Sequence, residues 1–420
     1  MGLATCSGAF AEPLLRRTFT HEAMGTEFNL TLYSRPEDKG TDEIRGIADE
    51  AFAVVDDLEN KISVWRLDSQ VAYINKHAAR EPAKAAPDVI DLILYCTKVY
   101  SETDGAFDVT VGPLVKLWGF YRSQDESSPK GPLPSDEALA ETCAKVGMDK
   151  VAVDRDKGAV SFARDGMLLD FGGIGKGLAL DRAAEVLKRH GVTTAALSAG
   201  TSSIVVLGTP PAAAGWRVRV RDPYDDRASL DEVILRDEAL STSGSYEKFF
   251  ELGGKKYCHI FDPRTGRPVE GMLSVTVIGR SGMETDALST AFFVMGAEKT
   301  RAYCKTHPGL RVTLVPAGEK GGLHPVPVGD WDQAGKEPPP LENSRHPDST
   351  PARGDDTQPF LLPVSVRVNP ISQRPCPGRP EESARPCETR RRLPWGGTKQ
   401  SAPSARWPYA VRSLFPVRRG

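Results

Sequence analysis

The sequence predicts a mixed fold of the α+β (mixed α/β) class. Near the start, Phe28, Leu30 and Leu32 alternate with polar residues, which is the period of a half-buried strand. From Glu43 to Leu58 and again from Pro87 to Thr103, apolar residues recur at helical spacing. Between about Pro113 and Pro316 the two patterns interleave, and such interleaving is the mark of helices packed on a sheet.

The elements follow in order. The first helix carries Ile44, Ile47, Ala48, Ala51, Val54, Val55 and Leu58 on one stripe. The second carries Val89, Ile90, Leu92, Ile93, Leu94 and Val99, and its Pro87-Asp88 start suits a helix N-terminus. Ser123 to Pro134 is a polar loop rich in Pro and Ser. Met167 to Phe171 is a short apolar run of the kind found in a buried strand. Leu178 to Arg189 predicts a helix with Gly191 as its C-cap. Ile204 to Leu207, Trp216 to Val220, Ser274 to Ile278 and Arg311 to Val315 predict strands. Ala287 to Val294 predicts a helix that stops at Gly296.

The chain of 420 residues is long enough for a sizeable core. Its formal net charge of -2 supplies no basic field to draw in nucleic acid. The cysteines (Cys6, Cys96, Cys143, Cys258, Cys304, Cys376 and Cys387) are scattered, with no C-x-x-C pair. That spacing fits neither a zinc site nor a disulfide framework, and small buried hydrophobes are the expected role. No apolar run reaches the roughly 20 residues that span a bilayer. Residues 1 to 18 read as an N-terminal arm. Leu3-Ala4-Thr5-Cys6 loosely resembles the end of a lipoprotein signal, without a basic segment before it. Cytoplasmic, truncated and mis-started chains are the three options this leaves for localisation.

Residues 19 to 330 form the expected folded domain. From about Trp331 to Gly420 the texture changes: this stretch holds 16 of the 33 prolines and many isolated arginines, without hydrophobic period. Such a segment buries too little apolar surface to offset its ordering entropy, and a disordered tail is expected.

Four stretches carry residues suited to chemistry, and each has a plain structural alternative. Asp170-Phe171-Gly172-Gly173-Ile174-Gly175-Lys176-Gly177 joins a strand-like run to a helix. Glycines there allow a close approach to an anion, and Lys176 supplies charge. The alternative is a tight turn with an exposed lysine. In Asp286-Ala287-Leu288-Ser289-Thr290, positions i, i+3 and i+4 share a helix face. A carboxylate and two hydroxyls on one face suit Mg²⁺; the alternative is Asp286 as a helix N-cap. His259, before the turn Asp262-Pro263-Arg264-Thr265-Gly266, suits a base or a phosphate ligand, or a structural histidine. Gly105 to Pro113 with Leu117-Trp118-Gly119-Phe120 could line a pocket for an aromatic ring, or form a packed aromatic cluster.

In this order along the chain the stretches resemble the FAD:protein FMN transferase family (ApbE-type). The resemblance runs from about Ala23 to Val315. It also takes in Ala23-Met24-Gly25-Thr26, and Ile62-Ser63-Val64-Trp65 followed by Ser69 and Asn75. It implies a two-lobed core with FAD bound in the cleft. It places Met24, Trp65, Ala106, Phe107, Asp108, Asp170, Lys176 and Ile260 on FAD. It assigns Mg²⁺ to the carbonyl of Gly173, the carboxylate of Asp286, and Ser289 with Thr290. It gives catalytic roles to His259 and Asp286. One departure stands out: where the family usually has paired glycines, this chain has Ala199-Gly200. The activity implied is Mg²⁺-dependent transfer of FMN from FAD to a Ser/Thr hydroxyl of a target flavoprotein, with release of AMP. An FAD pyrophosphatase giving FMN and AMP, and a flavin-binding protein without chemistry, are the rival readings. The family is often exported and lipid-anchored, so membrane association is implied if an upstream lipoprotein signal was lost.

Overall fold

The computed structural model describes residues 14–35, 39–121, 132–318, 322–331 and 361–362. Most of the expected tail and most of the 123–134 loop lie outside them, as do residues 1–13.

The strands and helices, in chain order, are as follows. The first half holds β1 (Leu15–Ala23), β2 (Thr26–Ser34), α1 (Thr41–Ile62), α2 (Gln70–His77), β3 (Ala83–Lys84), α3 (Pro87–Glu102), α4 (Gly112–Leu117), α5 (Asp136–Cys143), β4 (Val151–Asp154) and β5 (Ala159–Phe162). Then come α6 (Gly175–Arg189), β6 (Ala195–Ala199), β7 (Ser203–Leu207), β8 (Trp216–Arg221), β9 (Ser229–Leu235), β10 (Ala239–Gly244), β11 (Phe249–Leu252), β12 (Lys255–Cys258), β13 (Phe261–Asp262), β14 (Arg267–Pro268), β15 (Met272–Gly279), α7 (Gly282–Thr306), β16 (Arg311–Pro316) and β17 (Val326–Gly329). The α+β expectation holds.

An eight-stranded sheet in the order β1-β2-β6-β7-β10-β15-β16-β17 is the frame, with every neighbouring pair antiparallel. The strand period divides its side chains between two cores. Leu197, Ala199, Val205, Leu207, Val275 and Val277 join the core that also holds the buried faces of α1, α3, α6 and α7. Ala196, Ile204, Val206, Leu240 and Ile278 face the other way, onto the β8–β9 ribbon and its buried Trp216. A third, smaller cluster of Leu114, Trp118, Leu139, Val146, Phe250 and Phe261 is the core of a second lobe built from α4, α5 and the short strands β11–β13.

Two expectations need correction. Met167 to Phe171 is extended but is not a strand; it has only an isolated bridge from Leu168 to Val111. Its polar backbone is satisfied by a side chain instead. The Asn75 amide accepts from Leu169 N at 2.7 Å and donates to Leu169 O at 3.0 Å, and Asp170 N donates to Val109 O at 2.7 Å. One amide thus takes the place of a neighbouring strand. The last helix begins five residues earlier than expected, at Gly282; it does stop at Gly296 (φ 72°, ψ 178°), and a further helical segment runs on from there to Thr306. Gly191, by contrast, takes the left-handed φ of 73° expected past the end of α6. Strand β1 begins at Leu15, inside the stretch read as an arm. Among the described residues no helix is long and apolar enough to cross a membrane.

Candidate functional site

Helices α6 and α7 meet at a pair of glycines. A β-carbon on Gly177 would lie 1.9 Å from the carbonyl oxygen of Gly282, so the two backbones are in direct contact. Asp286 is buried at this crossing. One carboxylate oxygen accepts from Gly177 N at 2.9 Å, and the other from Ser203 Oγ on β7 at 3.3 Å. Asp286 is therefore not the N-cap of its own helix. Ser281 has that role, accepting from Glu284 N. The carboxylate instead serves an N–H at the start of α6, one of the amides a helix leaves without an internal partner.

The helical spacing brings Ser289 and Thr290 onto the same face as Asp286, as expected. Ser289 Oγ donates to Asp286 O at 2.9 Å. A third hydroxyl joins them from the sheet: Ser243 Oγ is 2.8 Å from Ser289 Oγ and 3.2 Å from Thr290 Oγ1. The glycine turn closes the other side. The β-carbon position of Gly173 lies 3.4 Å from Thr290 Oγ1 and 3.6 Å from Phe107 Cε2. Gly173, Phe107, Asp286, Ser289 and Thr290 are thus brought together, and the polar side-chain atoms of this group are all oxygens. Among the described residues no group of three or more His, Cys, Asp or Glu is placed to hold a metal. A cation here would rest on one carboxylate and neutral oxygens.

Asp170 shapes the turn. Its carboxylate accepts from Gly172 N at 2.8 Å and from the hydroxyl of Tyr121 at 2.5 Å. Burial and the charge of Asp170 push the Tyr121 phenol well above its usual range, so it stays a donor. The ring of Trp65 stands edge-on to Tyr121, with centroids 5.2 Å apart, and is 66% exposed. An exposed indole on a rigid support is a surface to which a planar ring can bind.

His259 sits just past β12. Its Nδ1 lies 3.1 Å from the carbonyl oxygen of Lys248. A carbonyl only accepts, so Nδ1 carries the proton and Nε2 keeps its lone pair. Crowding by protein, then the charge of Lys248 and that of Lys176, push its pKa down to about 4. Lys176 on the glycine turn and His259 are hence neighbours in electrostatic terms, and the imidazole is neutral at pH 7.

Other residues from the resemblance have structural partners. Asp108 is buried and turned into its own loop, where one oxygen accepts from Thr110 N at 2.7 Å and Thr110 Oγ1 at 2.6 Å. Burial raises its pKa to about 6. Ala106 is buried beside it, and Ile260 is buried with its carbonyl accepting from Val269 N. Met24 is half-buried at the tip of the β1–β2 hairpin. It adopts a φ of 52° before Gly25 at 71°, and its N–H donates to Glu59 at 2.8 Å. Trp118, offered above as a pocket wall, is core: its Nε1 donates to Gly266 O at 2.9 Å. Ala199 does not crowd the site, since its methyl is wholly buried in the main core. Gly200 is the exacting position, with a φ of 55° and Thr26 Oγ1 2.5 Å from where a β-carbon would stand.

Asp108 supports a prediction on stability. A folded-state pKa near 6 exceeds that of the unfolded chain, so the folded form binds the extra proton between about pH 4 and 6. This contribution is present below that window and is lost as pH rises through it. Asp108→Asn keeps the oxygen that Thr110 needs and removes the buried charge. The variant is expected to be more stable than the parent by on the order of 1 kcal/mol at pH 7.5 and equal to it at pH 4. Denaturant melts at both pH values check this; a variant less stable at pH 7.5 refutes it.

Sequence reasoning passed over Ser203, Ser243, Tyr121 and Asp181. A signal for Ser243 exists in Ser241-Thr242-Ser243. Alternate hydroxyls of a strand share a face, and here they meet Thr285, Ser289 and Thr290 across the gap.

The model of the ApbE family matches residues 24–314. A protein of Vibrio cholerae named FAD:protein FMN transferase is 31% identical over 286 residues, covering 68% of this chain and 83% of its own. One of Treponema pallidum with the same name is 33% identical over 314 residues, covering 70% and 82%. Among solved structures, the flavin transferase ApbE of Vibrio cholerae superposes with a TM-score of 0.66 at 27% identity, over 77% of this chain and all of that one. The ApbE protein of Thermotoga maritima gives 0.65 at 31% identity, over 74% and 97%. The chain therefore belongs to the ApbE family, with the fold and the enzyme class of the flavin transferases.

Proposed function

We propose that this chain transfers FMN from FAD to a Ser or Thr hydroxyl of a target protein, releasing AMP, with Mg²⁺ bound at Asp286, Thr290, Ser289 and the carbonyl of Gly173. The observation that carries the reading is the meeting of the glycine turn with the oxygen cluster of Asp286, Ser289, Thr290 and Ser243. The donors fit the ion. Mg²⁺ favours hard oxygen ligands and is commonly held by one or two carboxylates together with substrate phosphates. The Asp286 oxygen facing Ser203 has a single long partner and a lone pair to spare. When bound, the ion would supply charge stabilisation at the diphosphate as the bridging P–O bond breaks.

The chain's own residues do the rest. Trp65, largely exposed, offers apolar surface to the flavin or adenine ring. The first N–H groups of α6 and the ammonium of Lys176 attract the diphosphate. His259 presents Nε2 as the acceptor for the proton of the attacking hydroxyl. Burial first, and then the charges of Lys248 and Lys176, hold its basicity low in the free protein, and it rises when the phosphates of FAD offset the two lysines. The hydroxyl attacks the phosphorus bearing the riboflavin half, FMN remains on the target as a phosphoester, and AMP departs with the bridging oxygen.

The test incubates the protein with FAD, MgCl₂ and a flavoprotein substrate of the Vibrio cholerae relative. Intact-mass spectrometry is expected to show one added FMN on the acceptor, with stoichiometric AMP. Free FMN and AMP without an adduct would replace the transferase by a pyrophosphatase. FAD bound and left whole would reduce it to a flavin-binding protein.

A further inference from the structure

The crossing of α6 and α7 holds a second carboxylate with no role in the reaction described so far. Asp181 on α6 is half-buried. One of its oxygens accepts from Gly282 N at 2.7 Å; the other accepts from Ser281 Oγ at 2.7 Å and Met283 N at 2.9 Å. It caps the start of α7 from outside, and a carboxylate at a helix N-terminus is favoured both by the free N–H groups and by the helix dipole. Asp286 on α7 does the same for α6, through Gly177 N.

The two arrangements mirror each other. Asp181 lies four residues after Gly177, and Asp286 lies four residues after Gly282. Each helix thus offers a glycine for backbone contact and, one turn later, a carboxylate that reaches back to the other's first amides. The exchange fixes the position of Asp286 relative to the turn that carries Gly173 and Lys176.

We infer that Asp181 is a positioning residue of the flavin-transfer site: its hold on the first turn of α7 sets where Asp286 meets Gly177 and the glycine turn. The inference rests on the reading that Asp286 acts in the reaction, yet the hold itself can be measured without turnover. Asparagine at 181 keeps the bond to Gly282 N but accepts from neither Ser281 nor Met283, its NH₂ being a donor only, and alanine keeps none. The effects should therefore be graded.

The experiment compares the full-length protein with Asp181→Asn and Asp181→Ala. Amide hydrogen exchange is followed on peptides spanning 175–181 and 281–290, in protein free of metal and FAD. Exchange at Gly282 and Met283 is expected to rise about tenfold in Asp181→Ala and less in Asp181→Asn, and to rise at Gly177 as well. FMN transfer is expected to lose 10- to 100-fold in kcat in the same order, with KM for FAD within about twofold. A local cap would speed exchange around Gly282 and leave Gly177 and kcat unchanged, and that result overturns the inference. So does wild-type exchange in both variants. If Asp181→Ala does not fold, the Asp181→Asn arm decides by the same criteria. Should the wild type transfer no FMN at all, the proposed reaction fails while exchange at Gly177 still judges the hold.

Discussion

Asp286→Asn lowers FMN transfer by about 10³-fold or more while leaving the fold intact. The size follows from what the group would do: it is the one formal negative charge among the oxygens of the cluster, and loss of a single preorganised transition-state contact already costs roughly 10²–10³ in rate. Asparagine is chosen over alanine for a structural reason. Its carbonyl oxygen can still accept from Gly177 N, and its amide can donate to Ser203 Oγ, so the buried neighbours keep partners. Asp286→Ala would also strand the Gly177 N–H, adding about 1–3 kcal/mol of destabilisation that would blur the kinetics. Acceptor flavinylation by mass spectrometry and thermal melting of both variants give the comparison. Turnover by Asp286→Asn within tenfold of wild type would remove Asp286 from the metal site.

Gly177→Ala is expected to have the largest effect on stability. The added methyl would stand 1.9 Å from the carbonyl oxygen of Gly282 and 2.8 Å from the β-carbon of Asp286. Neither atom belongs to a flexible side-chain end, so the helices must separate. Overpacking of this kind costs about 1–3 kcal/mol, and separation would also break the bond from Gly177 N to Asp286. Alanine's better helix propensity returns only about 1 kcal/mol. Gly46 is the control: it is exposed in α1 with nothing within 4 Å of a β-carbon, so Gly46→Ala should be neutral or stabilising by about 0.5–1 kcal/mol. Chemical denaturation of the pair decides. A Gly177→Ala protein as stable as Gly46→Ala would mean that the helices do not touch as described.

Much of the frame was legible because its apolar residues keep time. Helices α1, α3 and α6 and strands β2, β7, β8, β15 and β16 show their periods plainly. Strands β6 (AALSA) and β10 (ALSTSG) did not, because they are built from small residues with low strand propensity. In β10 the small residues admit the site: Ser241 and Ser243 present hydroxyls where larger side chains would fill the space. Met167 to Phe171 has the apolar run of a strand without a strand beside it, because Leu169 is bonded by Asn75, more than 90 residues away in sequence, and a period cannot reveal such a partner. The same holds for Asp286, whose spacing suggests a cap. It is one, but for another helix. The grouping of Gly173, Asp286, Ser289 and Thr290 came from the family resemblance, and local spacing alone supplied only the last three.

The exchange of carboxylates between α6 and α7 also bears on when activity can arise. Gly177 and Asp286 are 109 residues apart in the chain. All of β6 through β15 lies between them in the chain, and contacts of such long range form late because closing the loop between them costs entropy first. On the reaction proposed above, a nascent or half-folded chain would lack the assembled site that cleaves FAD, and the supply of flavin would be protected until folding is complete.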